Sequence, residues 1–439
     1  MERYSEYKDS GVKWLGEIPK HWEMKRWRYL MTENTTKNSD CKEKLQLQFR
    51  YGDIVKKANQ SEESDVLDTI SKYTVVKPED IMINGLNLNY DFVSQRVAQV
   101  KEHGVITSAY ISLRPTQISN SRYYTYFLKS MDAKKMFHGM GTGIRLTLSY
   151  NELKNQFIPC PSLKEQTAIA SYLDTTTAQI DAAIAQQRKM IDLLNERKQI
   201  IINNAVTKGL NPNVKMKDSG VEWIGKVPEH WEVRKIKTVL KEGNSIKIGP
   251  FGSSLTGKVD IDLPYKIYGQ WNIVGGDFFA GTNYISEKTF DELKVYEVIP
   301  GDIMISMMGT VGKCRVVPLD IQKGIMDSHV VKIRLNNKLV DNRYFEYFYD
   351  KDNSSIIFNN IQFMKKGSIM DGLNSSIIKS LILTFPSIKE QKEIIEYLNA
   401  IVGKIDRTVN NIKSKINLLQ ERKQIIINDV VTGKVKVSN

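Results

Sequence analysis

The sequence PSLKEQTAIASYLDTTTAQIDAAIAQQRKMIDLLNERKQIIIN occupies residues 161–203, and PSIKEQKEIIEYLNAIVGKIDRTVNNIKSKINLLQERKQIIIN occupies residues 386–428. The two stretches align from end to end without a gap, so that Pro161 corresponds to Pro386 and every later position keeps the same offset. Their apolar positions are spaced alternately by about four and three residues, which is typical of the seam of a coiled coil. The repeat therefore predicts two equivalent long helices, over 161–208 and 386–432.

Each predicted helix would be about 65 Å long at ~1.5 Å per residue and too thin to be stable alone. Because one chain carries both seams with a domain between them, we predict that the helices pair antiparallel with each other. Two separate helical hairpins and two intermolecular zippers are the alternatives. The residues predicted to pair the helices or dock a partner are Leu173, Ile180, Ile184, Ile191, Leu194, Lys198, Leu398, Ile405, Ile412, Ile416, Leu419 and Lys423.

Polar residues within the repeat have predicted roles of their own. Ser162 with Glu165, and Ser387 with Glu390, have the spacing of capping boxes at the two helix starts. Lys198 and Lys423 interrupt the seams at equivalent positions, where a charged residue costs stability but fixes the alignment of the helices. We predict that these lysines reach Glu421 and Glu196 across the helix pair.

A second duplication precedes each half of the chain. KDSGVKWLGEIPKHWE at 8–23 recurs as KDSGVEWIGKVPEHWE at 217–232, with Trp, Pro and His at matching places. This segment predicts a packed turn that docks each domain onto the helices, and its histidines are interpreted as packing residues. The region between this segment and the following helix is longer in the second half than in the first, so the chain is two copies of one plan with divergent middles.

The middles contain short alternating apolar runs bounded by turn residues, which predict strands. Examples are YTVVKPEDIMI (73–83), GVITSAYISLRP (104–115) and PGDIMISMMGTVGKC (300–314), and each middle also has one helical stretch, at 122–137 and 342–358. The predicted fold class is α+β, with a pseudo-two-fold internal repeat. The first domain spans 1–160 and the second 209–385, separated by the helices 161–208 and 386–432.

Composition limits the class of protein. The chain is 41% hydrophobic and 26% charged, as in ordinary soluble proteins, and we expect it to be cytoplasmic because no apolar run approaches the ~18 residues of a membrane span. Its three cysteines are isolated, which argues against disulfides and thiolate metal sites. The net charge of +13 favours a polyanionic partner.

Catalytic motifs are weak or absent. GSSLTGK (252–258) resembles a phosphate-binding loop, but Val259 stands where a hydroxyl should bind Mg²⁺. Carboxylate-x-Lys triplets typical of nucleases occur at a frequency expected by chance, and no cluster has the spacing of a metal site. These observations favour a binding protein over an enzyme, with no cofactor or metal of its own.

Small polar, amide and basic side chains in the loops are the candidate contacts to DNA, since they can hydrogen-bond base edges and phosphates. The candidates are Arg50, Lys56, Asn84, Asn87, Asn89, Arg96, Thr107, Ser108, Arg145, Lys247, Phe251, Gly252, Ser253, Ser254, Gln270, Asn272 and Lys313.

Taken together, these motifs resemble the specificity subunit of Type I restriction-modification systems, over essentially the whole chain. The matching motifs are GPFGSSL (249–255), GDIMISMMGTVGK (301–313), ITSAYISLRP (106–115), the PSLKEQ and PSIKEQ helix starts and the LLxERKQIIIN helix ends. The first domain departs from the pattern because QFRYGDIVKK (48–57) stands where a GPFGSS loop is expected. The two domains are therefore expected to read different sequences.

The resemblance implies two target-recognition domains, each reading one half of a split DNA site, held apart by two antiparallel helices. It also implies two modification subunits that dock on the helices and methylate adenine with S-adenosylmethionine, and restriction subunits that use ATP and Mg²⁺. All of these cofactors would lie on partner subunits. The alternatives are a coiled-coil scaffold without a DNA role and a single-chain endonuclease.

Overall fold

Both long helices contribute to both units of the structure. The computed structural model describes residues 2–437 except 51, 59–63, 94, 145, 244, 251–253, 256–259 and 351–374. Unit 1 comprises Met1–Gln187 and Lys413–Asn439, and unit 2 comprises Arg188–Ile412. Each unit therefore contains one α+β domain, the N-terminal half of one long helix and the C-terminal half of the other.

The first domain is built mostly from short strands. Its elements, with the long helix that follows, are β1 (Tyr7–Asp9), β2 (Glu17–Pro19), β3 (Glu23–Arg26), β4 (Met31–Glu33), β5 (Leu47–Arg50), β6 (Asp53–Lys56), α1 (Ser64–Ser71), β7 (Thr74–Val76), β8 (Ile81–Ile83), β9 (Val97–Gln99), β10 (Gly104–Ile106), β11 (Ile111–Pro115), α2 (Ser121–Ala133), α3 (Tyr150–Leu153), β12 (Phe157–Cys160) and α4 (Leu163–Lys208).

The sheet at the centre of the first domain is antiparallel, in the order β4-β11-β8-β9. Strands β1 and β2, β5 and β6, β7 and β10, and β3 and β12 form two-stranded pairs. Strands β5 and β6 form a hairpin, and Gly52 between them adopts a left-handed backbone with φ of +77°. The core beneath the sheet includes Trp22, Trp27, Tyr123 and Phe127, all fully buried.

The second domain repeats this plan with an additional sheet. Its elements, with the second long helix, are β13 (Met216–Asp218), β14 (Lys226–Pro228), β15 (Glu232–Lys235), β16 (Ile246–Ile248), β17 (Tyr265–Tyr268), α5 (Gln270–Gly275), β18 (Tyr284–Ile285), α6 (Glu287–Glu292), β19 (Glu297–Val298), β20 (Ile303–Ser306), β21 (Cys314–Val316), β22 (Gly324–Met326), β23 (Val330–Ile333), α7 (Asn342–Tyr349), α8 (Ser375–Ser380), β24 (Ile382–Phe385) and α9 (Ile388–Val431).

The antiparallel sheet β16-β23-β20-β21 corresponds to the central sheet of the first domain, and β18-β17-β22-β19 is a mixed sheet in which β17 and β22 are parallel. The two central sheets also have an ion pair at equivalent positions. Arg114 binds buried Asp80 through two hydrogen bonds of 2.9 and 2.8 Å, and Arg334 binds Asp302 through two of 2.6 and 3.0 Å. The α+β fold class predicted from the sequence is confirmed.

The long helices pair antiparallel within each unit. In unit 1 Leu173 and Ile180 of α4 share an apolar cluster with Ile426 and Val430 of α9. In unit 2 Ile201 and Ala205 of α4 share one with Leu398 and Val402 of α9. Every seam position is buried or half-buried. These positions are Leu173, Thr177, Ile180, Ile184, Gln187, Ile191, Leu194, Lys198, Ile201, Ala205, Leu398, Val402, Ile405, Val409, Ile412, Ile416, Leu419, Lys423, Ile426 and Val430.

The acidic partners predicted for the seam lysines were wrong. Lys198 Nζ lies 2.8 Å from Asp406 Oδ1, and Lys423 Nζ lies 2.6 Å from Asp181 Oδ2, so neither Glu196 nor Glu421 is used. The two pairs are equivalent, since Lys423 and Asp406 occupy the positions of the second repeat that correspond to Lys198 and Asp181 in the first. Both units therefore have the same helix register.

Candidate nucleic-acid interface

The helix starts hold the duplicated docking segments through one carboxylate each. In unit 1 Glu165 accepts hydrogen bonds from Trp22 Nε1 at 3.0 Å and Tyr4 Oη at 2.6 Å, and lies 3.1 Å from His21. In unit 2 Glu390 lies 3.1 Å from Trp231 Nε1 and 2.9 Å from His230. Both histidines are exposed beside these carboxylates and are not buried packing residues.

Only the serine half of each predicted capping box is present. The backbone N–H of Glu165 donates to Ser162 Oγ at 3.3 Å, and that of Glu390 donates to Ser387 Oγ at 3.4 Å. The glutamate side chains bind the docking segments instead. A box needs the carboxylate to turn back onto its own backbone, whereas here a buried indole N–H competes for it and would otherwise have no acceptor.

The glutamine that follows each glutamate connects the long helix to the domain helix. Gln166 Oε1 accepts from the backbone N–H of Asn120 at 2.7 Å, and Asn120 caps α2. Gln391 Oε1 accepts a hydrogen bond from the backbone N–H of Asp341 at 2.8 Å, and Asp341 caps α7. Sequence reasoning missed these contacts, although the identical KEQ in both repeats was a signal for them.

Equivalent polar contacts continue between the domain helices and the long helices. Tyr126 donates a hydrogen bond to Asp174 at 2.9 Å in unit 1, and Tyr347 donates one to Asn399 at 2.7 Å in unit 2. Burial raises the pKa of Tyr126 to about 12, so its hydroxyl remains a donor at neutral pH. Each domain is thus fixed to its helix pair by the same set of positions.

The candidate contacts of the first domain separate into structural and exposed residues. Arg96 is fully buried, and its guanidinium donates to the carbonyls of Asn84 and Leu86 at 3.0 and 2.8 Å and to that of Asp91 at 2.7 Å. Its prediction as a DNA contact is corrected on this geometry, because a guanidinium that is out of contact with solvent cannot reach DNA. Arg96 instead holds together the loop that contains the candidate asparagines.

The three asparagines of that loop have different environments. Asn84 Oδ1 accepts from the backbone N–H of Leu86 at 3.1 Å, and Asn89 Nδ2 donates to the carbonyl of Ile144 at 3.3 Å. The carboxamide of Asn87 is exposed and makes no hydrogen bond with any described residue. Among the three, Asn87 is therefore the one best placed to offer both a side-chain donor and an acceptor to a ligand.

The other first-domain candidates belong to different segments of the chain. Arg50 is exposed at the end of β5, and Lys56 forms an exposed ion pair of 2.9 Å with Glu102. Thr107 accepts from the backbone N–H of Ala109 at 3.4 Å, and Ser108 donates to the carbonyl of Lys72 at 2.7 Å. Arg145 lies outside the described residues.

In the second domain two candidates are corrected because they are buried. Asn272 is buried. Its Oδ1 accepts a hydrogen bond from the backbone N–H of Gly269 at 2.9 Å, and its Nδ2 donates to the carbonyl of Asp277 at 2.8 Å, so the carboxamide fixes the local turn. Lys313 is also buried, with Nζ 3.5 Å from Asp350 Oδ1. Neither side chain is placed to contact a base.

Three second-domain candidates remain accessible in part. Gln270 Oε1 accepts a hydrogen bond from the backbone N–H of Met308 at 3.1 Å. This contact leaves the Nε2 hydrogens of Gln270 as donors for a ligand. Lys247 Nζ lies 5.6 Å from the centre of the Tyr296 ring, and Ser254 is half-buried. Phe251, Gly252 and Ser253 of the GPFGSSL motif lie outside the described residues.

In the two domains, the pKa values of the buried ionisable groups are shifted mainly by desolvation. Burial lowers the pKa of Lys332, on β23, to about 8. Burial likewise raises the pKa of Asp132, which accepts the backbone N–H of Arg96 at 2.7 Å, and it raises the pKa of the Cys160 and Cys314 thiols. The two cysteines are packing residues with inert thiols.

The part of the chain that the structure describes contains no group of three or more His, Cys, Asp or Glu residues able to hold a metal ion. None of its described helices combines the length and apolar content needed to cross a membrane.

Comparison with known proteins gives one family. The family model for the Type I restriction modification DNA specificity domain matches residues 49–191 and 228–418. The putative type I restriction enzyme MjaX specificity subunit of Methanocaldococcus jannaschii is 26% identical over 74% of this chain and 71% of its own length. The EcoKI specificity subunit of Escherichia coli is 24% identical over 79% of this chain and 73% of its own length.

A solved structure has a similar fold. It comes from work on the structural basis of complex assembly and conformational transition of the type I R-M system. The match has a TM-score of 0.69 at 12% identity and covers 95% of this chain and 99% of that one.

Proposed function

Because this chain belongs to the Type I restriction-modification DNA-specificity family and is a specificity subunit, we propose that its two domains read the two halves of one bipartite DNA target. The observation that carries this proposal is the internal duplication. The docking segments, the helix starts and the helix register are the same in both units, whereas the loops between equivalent strands differ. Two similar scaffolds with different loops are suited to two different half-sites on one duplex.

The helices also dock two modification subunits, one at each of two equivalent apolar stripes. Leu193 and Ile200 of α4 are each at least half exposed, and so are Leu418 and Ile425 of α9, which occupy the corresponding positions of the second repeat. Residues seven apart lie on one face of a helix, and the seam residues proposed for docking from the sequence are covered by helix pairing. Two identical stripes are suited to two copies of the same partner.

The reaction chemistry belongs to these partners. S-adenosylmethionine binds to the modification subunits, which methylate adenine, and ATP and Mg²⁺ bind to restriction subunits that join the complex. This chain supplies sequence recognition and the docking surfaces, and it binds no cofactor itself. The net charge of +13 supports attraction to the DNA backbone.

Methylation mapping tests the proposal. Cells that express this chain with its modification subunit should methylate adenine within one split sequence, and cells that lack this chain should not. Replacing 240–380 by the equivalent region of a relative should change one half of the split site only. Methylation without a bipartite motif, or a replacement that alters both halves, would refute it.

The two alternatives predict different results for the purified chain. A coiled-coil scaffold without a DNA role would show no duplex binding that weakens with salt. An endonuclease would cut duplex DNA when Mg²⁺ is added, without any partner. The proposed function requires salt-sensitive binding and no cutting by the chain alone.

A further inference from the structure

The two domains carry different loops between equivalent strands. Residues 84–96 connect β8 with β9 in the first domain, and residues 307–313 connect β20 with β21 in the second. The last residue of each loop is a buried cation, Arg96 or Lys313, but the first loop is longer and contains several asparagines and aromatic residues. The buried cation at the end of the loop is thus repeated in both domains, while the length and composition of the rest of the loop are not.

Residues 84–91 of the first loop are held by interactions from inside the domain. Besides the carbonyls of Asn84, Leu86 and Asp91, Arg96 Nη2 contacts the carbonyl of Asn87 at 3.4 Å. A buried guanidinium bound to four carbonyls along one loop fixes its backbone, because each carbonyl released would leave a buried charge less well satisfied. The loop therefore has the rigidity that a reading element needs.

Leu146 and Leu148 pack along the same loop. The backbone N–H of Leu88 donates to the carbonyl of Leu146 at 3.2 Å, and that of Leu148 donates to the carbonyl of Gly85 at 2.9 Å. A Cβ at Gly85 would lie only 2.4 Å from the Leu148 carbonyl oxygen, so the two backbones require glycine there. Asn89 Nδ2 donates to the carbonyl of Ile144 at 3.3 Å, which places the backbone of Ile144 beside the middle of the loop.

The loop and the adjoining residue Ile144 together expose apolar side chains to an unusual extent. Ile144 is 97% exposed, Val93 92% and Tyr90 79%, which places them among the four most exposed large hydrophobic residues that the structure describes. Scattered single hydrophobic residues need no explanation, but a group on a rigid element indicates a binding surface. Asn87, with its exposed carboxamide, lies on the same loop.

We propose that residues 87–93 with Ile144 form the element that reads bases of the first half-site, and that Asn87 recognises adenine in an A·T pair. A carboxamide can pair with both N6 and N7 of adenine, and apolar side chains contact the thymine methyl group. Arg96 is the positioning residue that holds the element. This inference rests on the proposed function, since it identifies the residues through which one domain reads DNA.

The comparison between the two units favours DNA over the modification subunit as the ligand of this surface. A partner that binds twice in the same form requires the same surface twice, as the stripes Leu193 with Ile200 and Leu418 with Ile425 provide. Two different half-sites require two different surfaces. The loops 84–96 and 307–313 differ in length and composition although they start from equivalent strands.

Two substitutions at one position test the inference in the assembled complex. Asn87 has a φ of +51°, so Asn87→Gly removes the carboxamide without straining the backbone. It should relax one base-pair position of the first half-site, with discrimination falling on the order of 10- to 100-fold. Asn87→Asp should move the preference at that position from adenine toward cytosine, because a carboxylate accepts from the cytosine amino group. Methylated-adenine mapping in cells measures both.

Matched variants separate base reading from general effects. Val93→Ser and Ile144→Ser should weaken first-half recognition, whereas Met308→Ser in the second loop should affect only the second half. Leu319→Ser removes an equally exposed residue outside both loops and should change neither half. The melting temperature of each variant should stay at that of the wild type, since these side chains are exposed.

An unchanged first half-site in Asn87→Gly, Val93→Ser and Ile144→Ser, with wild-type stability, would overturn the inference while leaving the proposed function intact. Loss of modification-subunit binding with unchanged sequence preference would assign the surface to that protein instead, and would also overturn it. Failure of the wild-type complex to methylate any split site would contradict the proposed function itself. The three results are distinguished by the motif, the subunit composition and the wild-type control.

Discussion

One carboxylate at the start of each long helix satisfies the donors of the docking segment. Trp22 and Trp231 are buried, and their indole N–H groups have Glu165 and Glu390 as acceptors. A buried donor left without an acceptor costs about 1–3 kcal/mol, more than the hydrogen bond itself contributes. These two contacts therefore stabilise the attachment of each domain to its helix.

We predict that Glu165→Ala lowers the free energy of unfolding of unit 1 by about 1–3 kcal/mol. Glu390→Ala should have a similar effect on unit 2, because the geometry is repeated. Hydrogen exchange followed by mass spectrometry would report each unit separately. Glu6→Ala removes an exposed carboxylate paired with Lys20 at 2.8 Å and is the control, with an expected change under about 0.5 kcal/mol. Equal stability of Glu165→Ala and Glu6→Ala would contradict the assigned role.

At the scale of the helices, two equivalent ion pairs fix the antiparallel register. Lys198 binds Asp406 and Lys423 binds Asp181, and in each pair the lysine is largely covered while the aspartate is about half exposed. Solvent screening limits the contribution of such a pair to the free energy of unfolding to about 0.2–1 kcal/mol. Their contribution to alignment is larger than their contribution to stability, since a shifted helix would place lysine among apolar seam residues.

A double-mutant cycle measures this coupling. Lys198→Asp should destabilise unit 2 because it places two carboxylates together, and the exchange Lys198→Asp with Asp406→Lys should recover about 0.2–1 kcal/mol of the loss. Urea denaturation of the four proteins gives the coupling energy. A coupling of zero in this cycle and in the equivalent cycle of Lys423 with Asp181 would exclude the register role.

The exposed stripes of the helices have a separate test. Leu193→Lys with Ile200→Lys should reduce the bound modification subunits from two to one, and adding Leu418→Lys with Ile425→Lys should abolish binding. The charged side chains remain solvated in the free chain, so its stability should not change. Native mass spectrometry counts the subunits, and Leu319→Lys serves as the control. Two bound subunits in the quadruple variant would place the docking surface elsewhere.

At the scale of the whole molecule, residues 1–215 contain one complete half of the duplicated plan. They include both Asp181 and Lys198, whose partners in the full chain are the equivalent residues Lys423 and Asp406. Two copies of the fragment related by a two-fold axis could therefore form the same register, with Lys198 of each copy bound to Asp181 of the other. The missing helix would be replaced by a second copy of α4.

We predict that this fragment is a dimer which, with modification subunits, methylates a palindromic split site made of the first half-target and its inverted complement. Its seam has Thr177 and Gln187 where α9 has Val402 and Ile412, so dimerisation should require micromolar protein or the modification subunit. Sedimentation and methylation mapping measure both properties. Asp181→Lys should weaken the dimer, and its combination with Lys198→Asp should restore it. A monomeric fragment in complex with its modification partner would refute the internal two-fold.

The sequence by itself determined the features that depend on local periodicity. The seam spacing predicted both long helices and their buried faces, and alternating apolar runs predicted the central strands, because the side chains that lie on one face recur at a fixed interval along the chain. The duplication established the two-part organisation without any coordinates. Family resemblance followed from the same repeated motifs.

The tertiary structure decided what each polar residue does, since hydrogen-bond partners lie far apart in the chain. Arg96, Asn272 and Lys313 are candidates of the same kind as Asn87 in the sequence, yet the first three are buried and bonded, while the carboxamide of Asn87 is exposed and bonds to none of the described residues. Glu165 binds Trp22 in place of its own helix start, and the seam lysines bind aspartates of the opposite helix. Apolar burial follows a pattern that a short window of sequence contains, whereas the pairing of buried polar groups depends on which distant segments the fold brings together.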